Sequence, residues 1–205
     1  IVMIDHEGGR VIHLPEGVTF FPDNLTAGYA GDETLVSKQG DIEAKELKRF
    51  GITLNLAPTL DVLTERHSPN IGIRSYGRDP ELVARLGVSR IRAMQAGGLA
   101  ACAKHFPGQG QSTIDAHLGL PRLEETLDDM KNCHLKPFLR AIEADVAAIM
   151  SSHPLYPNWE RTPRTPATFS RKIITDYLRG EIGFKNLILT DDMEMKSLVN
   201  NWPME

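Results

Sequence analysis

This sequence has few cysteines, no excess of basic charge and no long apolar run, and each of these absences excludes a class of protein. Two cysteines among 205 residues, Cys102 and Cys133, are too few for a disulfide framework or a zinc knuckle. Acidic residues outnumber basic ones by 27 to 23, which leaves no basic surface of the kind that binds nucleic acid. No apolar run approaches the roughly 20 residues of a membrane-spanning helix. We therefore expect a globular protein with no nucleic-acid partner and no membrane span.

The sequence does contain five short, nearly continuous apolar runs, which predict buried strands. They are IVMID from Ile1, ITLNLAP from Ile52, LAACAKHF from Leu99, VAAIMSSH from Val146 and NLILTDD from Asn186. Runs of this kind are typical of parallel strands that are covered on both faces. Segments with helical spacing of apolar residues lie between most of them, at 33–51, 79–98 and 170–184. This alternation predicts an α/β fold with a parallel sheet.

Two longer stretches carry proline, glycine and asparagine without a sustained period. They cover residues 10–32 and 62–80, and we interpret both as strand-to-helix loops. Loops of this length inside a compact domain are usually functional.

Polar residues follow the apolar runs, where barrels and doubly wound sheets place their sites. The stretch DHEGGR after the first run is not a dinucleotide-binding fingerprint, so a barrel is favoured over an open Rossmann sheet. A complete (β/α)8 barrel takes about 250 residues, so we expect an incomplete one. The polar residues at the run ends are Asp5, Glu7, Asp61, Lys104, His105, His153, Asp191 and Asp192.

Asp115 and His117, two residues apart, form a candidate proton-transfer pair. A carboxylate beside an imidazole orients the ring and stabilises its protonated form, which supplies a general acid and base near neutral pH. The alternative is a loop aspartate that closes a turn beside a surface histidine. The pair alone leaves both interpretations open.

Asp191 and Asp192 end the fifth run. At a barrel strand end, one carboxylate can face the axis as a nucleophile or metal ligand, while the other caps the following helix. The alternation does not decide which is which. Histidines and aspartates are scattered without the spacing of a metal site, so we expect no bound metal.

The remaining candidates are donors and aromatic rings. Lys104, at a strand end with His105, is a hydrogen-bond donor to a polar ligand. Arg74, in the turn IGIRSYG, is suited to present a fork of donors to a substrate, although a single arginine is more often a solvated surface group. Trp159 and Trp202 either stack on a sugar or pack a loop.

Taken in order, IDHEGGRV, NLAPTLDV, IGIRSYGRDPELV, AKHFPGQG, DAHLGLP, IMSSHPLYP and LTDDMEM resemble glycoside hydrolase family 3. The likeness is to its bacterial β-N-acetylhexosaminidase branch, and the lysine–histidine element joined to Asp-x-His is its most specific part. The resemblance implies a catalytic barrel and a retaining mechanism. It implies Asp191 as nucleophile and His117 as acid/base with Asp115 as its partner. Four further positions match sugar-binding residues, to which we add two strand-end residues, so the substrate-binding candidates are Asp5, Arg74, Lys104, His105, Asp61 and His153.

The resemblance covers essentially the whole chain, but the family barrel starts upstream of IVMID and continues after TDDMEM. We expect one partial barrel domain over residues 1–205, truncated at both ends and completed by further residues or a second chain. Two positions depart from the family, His13 where arginine is frequent and Gln109 where histidine is common. Members occur both in the cytoplasm and exported, and we favour the cytoplasm.

The implied activity is exo-hydrolysis of terminal N-acetylglucosamine from peptidoglycan or chitin-type fragments, without a cofactor. An imidazole acid/base would not repel an anionic acceptor, so a phosphorylase that uses phosphate is an alternative. From another class, the chain could be an inactive fragment or a carbohydrate-binding module.

Overall fold

The computed structural model describes residues 1–162 and 164–202. Its centre is one parallel sheet with the strand order β1-β2-β3-β4-β5, so each strand pairs with its neighbours in the chain. The five predicted strands are confirmed, with ladders shorter than most of the apolar runs. Sequential parallel strands connected through helices make up part of a (β/α)8 barrel, which confirms the predicted fold class. The strands are β1 (Met3–Ile4), β2 (Leu54–Asn55), β3 (Ala100–Phe106), β4 (Ala148–Ser151) and β5 (Leu187–Thr190).

The helices lie outside the sheet, and all but the last connect successive strands. They are α1 (Asn24–Ala30), α2 (Glu33–Arg49), α3 (Pro80–Ala96), α4 (Leu127–Asn132), α5 (Lys136–Glu143), a π-helix (Arg171–Glu181) and α6 (Lys196–Val199), with 3₁₀ turns at Gly72–Arg74 and Ala167–Phe169.

The three predicted helices begin at side chains that cap them. Asp32 accepts a hydrogen bond from the backbone N–H of Thr34 at the start of α2, and Asp79 caps α3 ahead of Pro80. Ser170 caps the third helix, whose hydrogen bonds follow the wider i→i+5 pattern. Free N–H groups at a helix start need such acceptors.

The prediction of an irregular loop over 10–32 is wrong in its second half, which contains α1. Asp23 accepts a hydrogen bond from Thr26 N–H at its start, and Gly31 ends it at φ 64°. A seven-residue helix is too short to produce a recognisable apolar period, so capping and packing fix it. The segment 62–80 is irregular apart from its 3₁₀ turn, as predicted.

The core lies between the sheet and its helices. Leu47 of α2, Met94 of α3 and Phe138 of α5 are fully buried there beside Ala101 and Phe106 of β3. Cys102 of β3 is also fully buried, as expected for a small core residue, and burial raises the pKa of its thiol to about 12. No helix among residues 1–162 and 164–202 is long and apolar enough to cross a membrane.

Candidate active site

The parallel sheet gathers the polar candidates at one end. Met3 pairs with Leu54 and Leu54 with Ala100, and Ser151 pairs with Thr190, so the strands end side by side. Because parallel strands all point the same way, the residues after their carboxyl ends meet at one rim. These residues are Asp5 and Glu7 after β1, Asp61 after β2, Lys104 and His105 within β3, His153 after β4 and Asp191 after β5.

Glu7 is the centre of a buried network of charged side chains. Its carboxylate accepts two hydrogen bonds from Arg74, at 2.7 and 2.9 Å, and lies 2.6 Å from the Lys104 ammonium. Lys104 also donates to Asp5, whose side chain is 38% exposed against 2% for Glu7 and Lys104. Burial alone raises the pKa of Glu7, but Lys104 and Arg74 together hold it well below its usual range. Asp5 is therefore the open, acceptor-bearing end of this network.

The Arg74 guanidinium donates its hydrogen bonds to other groups of the protein. Besides Glu7, its Nη1 donates to the backbone and side-chain oxygens of Asn70 at 3.1 Å, and its Nη2 lies 3.3 Å from His105 Nε2. Carboxylate and amide acceptors thus occupy the fork within the described residues, and contact of Arg74 with a substrate stays a prediction. Arg74 organises the rim from within.

Asp61 orients His105 from beneath the rim. The fully buried Asp61 carboxylate lies 2.7 Å from His105 Nδ1 and accepts from the backbone N–H of Gln109 at 2.7 Å and of His105 at 3.2 Å. Nδ1–H therefore donates to Asp61, and Nε2 is directed to Arg74 and to Asp191, whose carboxylate lies 4.0 Å away. A carboxylate of this kind fixes the tautomer and orientation of an imidazole.

Asp191 and Asp192 have separate roles. The Asp191 side chain, 18% exposed, faces His105. Burial by itself raises the pKa of Asp191, but His105, the Asp192 N–H, His153 and Lys104 together lower it below its usual value. Asp192 accepts from Glu194 N–H at 2.8 Å and closes a turn. It does not cap α6, which begins four residues later without a side-chain cap.

His153 lies beneath Asp191. It is 1% exposed, and its Nε2 lies 3.0 Å from the backbone oxygen of Asp192, so that nitrogen carries the proton and donates. Burial lowers the pKa of His153, while the nearby Asp191 opposes that change. The histidine therefore supports the turn that carries Asp191.

Asp115 and His117 form a separate pair in the loop after β3. Nδ1 of His117 lies 2.8 Å from Asp115 Oδ1, which also accepts from the His117 backbone N–H at 2.9 Å. The sequence leaves open whether Asp115 pairs with the imidazole or closes a turn, and in the structure it does both. Ser197 N–H donates to Ala116 O, which ties the loop to α6 just after Asp191. The His117 side chain is 58% exposed, and within the described residues its bond is to Asp115 and not to the Glu7 network.

Other candidates take structural roles. Trp159 is buried and packs edge-on against Tyr156 and Tyr177, so it is a core residue and no sugar platform. Trp202 packs edge-on against Phe169. Over residues 1–162 and 164–202, no three histidine, cysteine, aspartate or glutamate side chains are grouped to hold a metal ion.

The sequence places Glu7 after a strand but does not identify it as a site residue. Its signal was its place after the first strand, two residues beyond Asp5. Asn70 gave no signal, since a loop asparagine is ordinary turn chemistry.

The chain matches the glycosyl hydrolase family 3 N-terminal domain over residues 1–203. Beta-hexosaminidase A of Pseudoalteromonas piscicida is 35% identical to it, over 96% of this chain and 35% of that protein. The beta-hexosaminidase of Neisseria meningitidis serogroup C is 38% identical, over 96% of this chain and 55% of its own length. The chain thus spans about a third to just over half of these relatives.

Solved structures give the same grouping. A family 3 β-N-acetylglucosaminidase from Paenibacillus sp. FPU-7 superimposes with a TM-score of 0.96 and 40% identity, over 98% of this chain and 38% of that one. NagZ from Neisseria gonorrhoeae, in complex with N-trifluoroacetyl-D-glucosamine, superimposes with a TM-score of 0.87 and 37% identity, over 96% of this chain and 59% of that one. With its motifs at the rim of a parallel half-barrel, the chain belongs to glycosyl hydrolase family 3.

Proposed function

We propose that the protein is a retaining exo-β-N-acetylglucosaminidase that removes terminal N-acetylglucosamine from peptidoglycan or chitin-type fragments. The observation that carries this is the Asp191 carboxylate, which lies at the rim with a lowered pKa, 4.0 Å from His105 Nε2. The names of the relatives support the substrate class. The chain spans about a third to just over half of its relatives, so the activity is proposed for the full-length protein.

Asp191 attacks the anomeric carbon in the first step. Its electron pair forms the glycosyl–carboxylate bond, while the bond from the anomeric carbon to the leaving oxygen breaks. A lowered pKa keeps this carboxylate anionic over the neutral range. The Asp192 backbone N–H donates to the Asp191 carboxylate at 2.8 Å and keeps the attacking side chain in place.

His117 supplies and removes the protons. Protonated His117 donates to the departing oxygen, and the resulting neutral imidazole takes a proton from the water that opens the glycosyl-enzyme. Asp115, 2.8 Å away, stabilises the imidazolium in both half-reactions. The exposure of His117 suits a group that reaches the substrate from a loop.

The rim recognises the sugar. Asp5 offers free carboxylate lone pairs, and the Lys104 ammonium beside it donates, which is the arrangement that binds vicinal hydroxyl groups. Arg74, His105, Asp61 and His153 hold these groups and Asp191 in register. Gonococcal NagZ was solved with an N-acylglucosamine analogue, which favours N-acetylglucosamine as the sugar bound at this rim.

Hydrolysis of 4-nitrophenyl N-acetyl-β-D-glucosaminide by the full-length protein tests this assignment. We expect Asp191→Asn to lower kcat by at least about 10⁴-fold and His117→Ala to lower it about 100-fold. Asp192→Asn is the matched control, because that neighbouring carboxylate only closes a turn. It keeps near-normal activity.

Addition of phosphate separates hydrolysis from phosphorolysis. The proposal predicts free N-acetylglucosamine at every phosphate concentration. Formation of the sugar 1-phosphate would assign a phosphorylase, and sugar binding without turnover would assign a carbohydrate-binding module. Wild-type activity in Asp191→Asn would show that Asp191 is not the nucleophile.

A further inference from the structure

A second buried charge cluster lies apart from the rim residues, between α2 and α3. Arg90 of α3 is completely buried and forms a two-pronged ion pair with Glu43 of α2, with N–O distances of 2.6 and 3.0 Å. The two helices approach closely here, since a methyl group on Gly40 would lie 2.8 Å from Arg90 O. We call Asn24, Glu43 and Arg90 the Arg90 cluster.

The Arg90 cluster touches both loops that carry the rim network. Arg90 Nη2 donates to the backbone oxygens of Glu7, at 2.9 Å, and His6, at 3.3 Å. Its Nη1 donates to Asn24 Oδ1 at 3.1 Å, and the Asn24 amide donates to the backbone oxygen of Arg74 at 2.7 Å. The Arg90 guanidinium thus binds the backbone of Glu7 directly and that of Arg74 through Asn24.

The side chains of those same two residues pair at the rim. Arg74 and Glu7 meet in a two-pronged ion pair, and Glu7 also fixes Lys104. From this double connection we infer that the Arg90 cluster is a positioning device, which sets the separation of the β1 and 70–76 loops and hence the placement of the sugar-binding groups. It makes no contact of its own with substrate, and its catalytic effect rests on the function proposed above.

The test replaces the ion pair by apolar groups in the full-length protein. Glu43→Met with Arg90→Met leaves no buried unpaired charge, and such exchanges are often neutral for stability. The matched control is Glu33→Met with Arg85→Met, a 3.0 Å pair between the same two helices that is about half exposed. The control variant should melt within a few degrees of wild type. The cluster variant also loses the Arg90 donors to Glu7 O and Asn24 Oδ1, so it should melt lower but still in one cooperative transition.

Hydrogen exchange and kinetics report the positioning role. The cluster variant should exchange faster in peptides covering 5–11 and 70–76, and its kcat/KM should fall about 100-fold, as small misplacements of binding groups do. The control should change neither. The loss of kcat/KM in the cluster variant should also be non-additive with that of Arg74→Ala, since both changes act through the position of the Arg74 side chain.

Three results would overturn the inference. They are wild-type exchange and kcat/KM in a folded cluster variant, equal effects in the control, and losses that multiply with Arg74→Ala. If the cluster variant does not fold, Asn24→Asp decides, because it keeps the acceptor for Arg90 but loses the donor to Arg74 O. Faster exchange at 70–76 then supports the inference, and unchanged exchange refutes it. Inactive wild-type protein would refute the proposed function alone, since the exchange result stands without turnover.

Discussion

Replacing Glu7 with glutamine removes a buried negative charge without changing the volume of the side chain. The Glu7 carboxylate neutralises Arg74 and Lys104 at distances of 2.6 to 2.9 Å, and both Glu7 and Lys104 are 2% exposed. In Glu7→Gln the two cations face an amide that also carries donors. Lys104 keeps Asp5 as a partner, so the charge of Arg74 is the one left without a counterion.

The expected loss is large because the side chains of Glu7 and Arg74 are only 2% and 11% exposed. Removing one partner of a buried ion pair costs about 3–5 kcal/mol, and each kcal/mol lowers Tm by about 2–4 °C in a domain of this size. Together these give a fall of about 6–20 °C. Glu124→Gln is the control, since its pair with Arg122 is equally short at 2.6 Å but about 60% exposed. Exposed pairs contribute about 0–1 kcal/mol.

The difference in Tm between wild type and Glu7→Gln should depend on pH. The folded pKa of Glu7 lies below its ordinary 4.5, so its contribution is complete above pH 4.5 and is lost as the pH falls toward the folded pKa. Thermal melts of wild type and Glu7→Gln at pH 7.5, 5.5, 4.0 and 3.0 should show a constant gap at the two higher values that narrows below them. A Tm drop no larger than that of Glu124→Gln, or a gap that widens in acid, would refute this reasoning.

Three further substitutions test particular contacts. Gly28→Ala should cost about 3 kcal/mol, because the new methyl group would lie 1.7 Å from Tyr76 O; a wild-type denaturant midpoint would contradict that packing. Asp61→Asn should lower kcat/KM about tenfold or more by weakening the charge-assisted bond to His105, and normal kinetics would show that the bond is dispensable. Asp79→Ala should cost about 1 kcal/mol through loss of the α3 cap, and an unchanged melt would contradict the capping role.

The strands and the gathering of the rim residues follow from sequence patterns alone. Fully apolar runs of four to eight residues indicate buried parallel strands, and polar residues directly after them must meet at one rim. Asp5, Lys104, His105 and Asp191 were predicted together for this reason. Their catalytic and binding roles remain predictions.

The sequence could not reveal which charges pair. Arg90 and Glu43 occupy helices with alternating charged and apolar positions, and such a pattern does not distinguish a buried ion pair from two solvated side chains. Their burial depends on how closely α2 packs against α3 at Gly40. The pairing of Arg74 with Glu7 is hidden for a similar reason, since the two residues are 67 positions apart and meet only in the folded chain.

The central claim is that Asp191 forms a covalent bond to the sugar. The full-length protein is incubated with a 5-fluoro N-acetylglucosaminyl fluoride, whose ring fluorine slows hydrolysis of the glycosyl-enzyme. Peptide mass spectrometry then locates the labelled residue. We expect one glycosyl group per protein molecule on Asp191 and none in Asp191→Asn. A label on another residue, or turnover of the reagent with release of the inverted anomer, would contradict it.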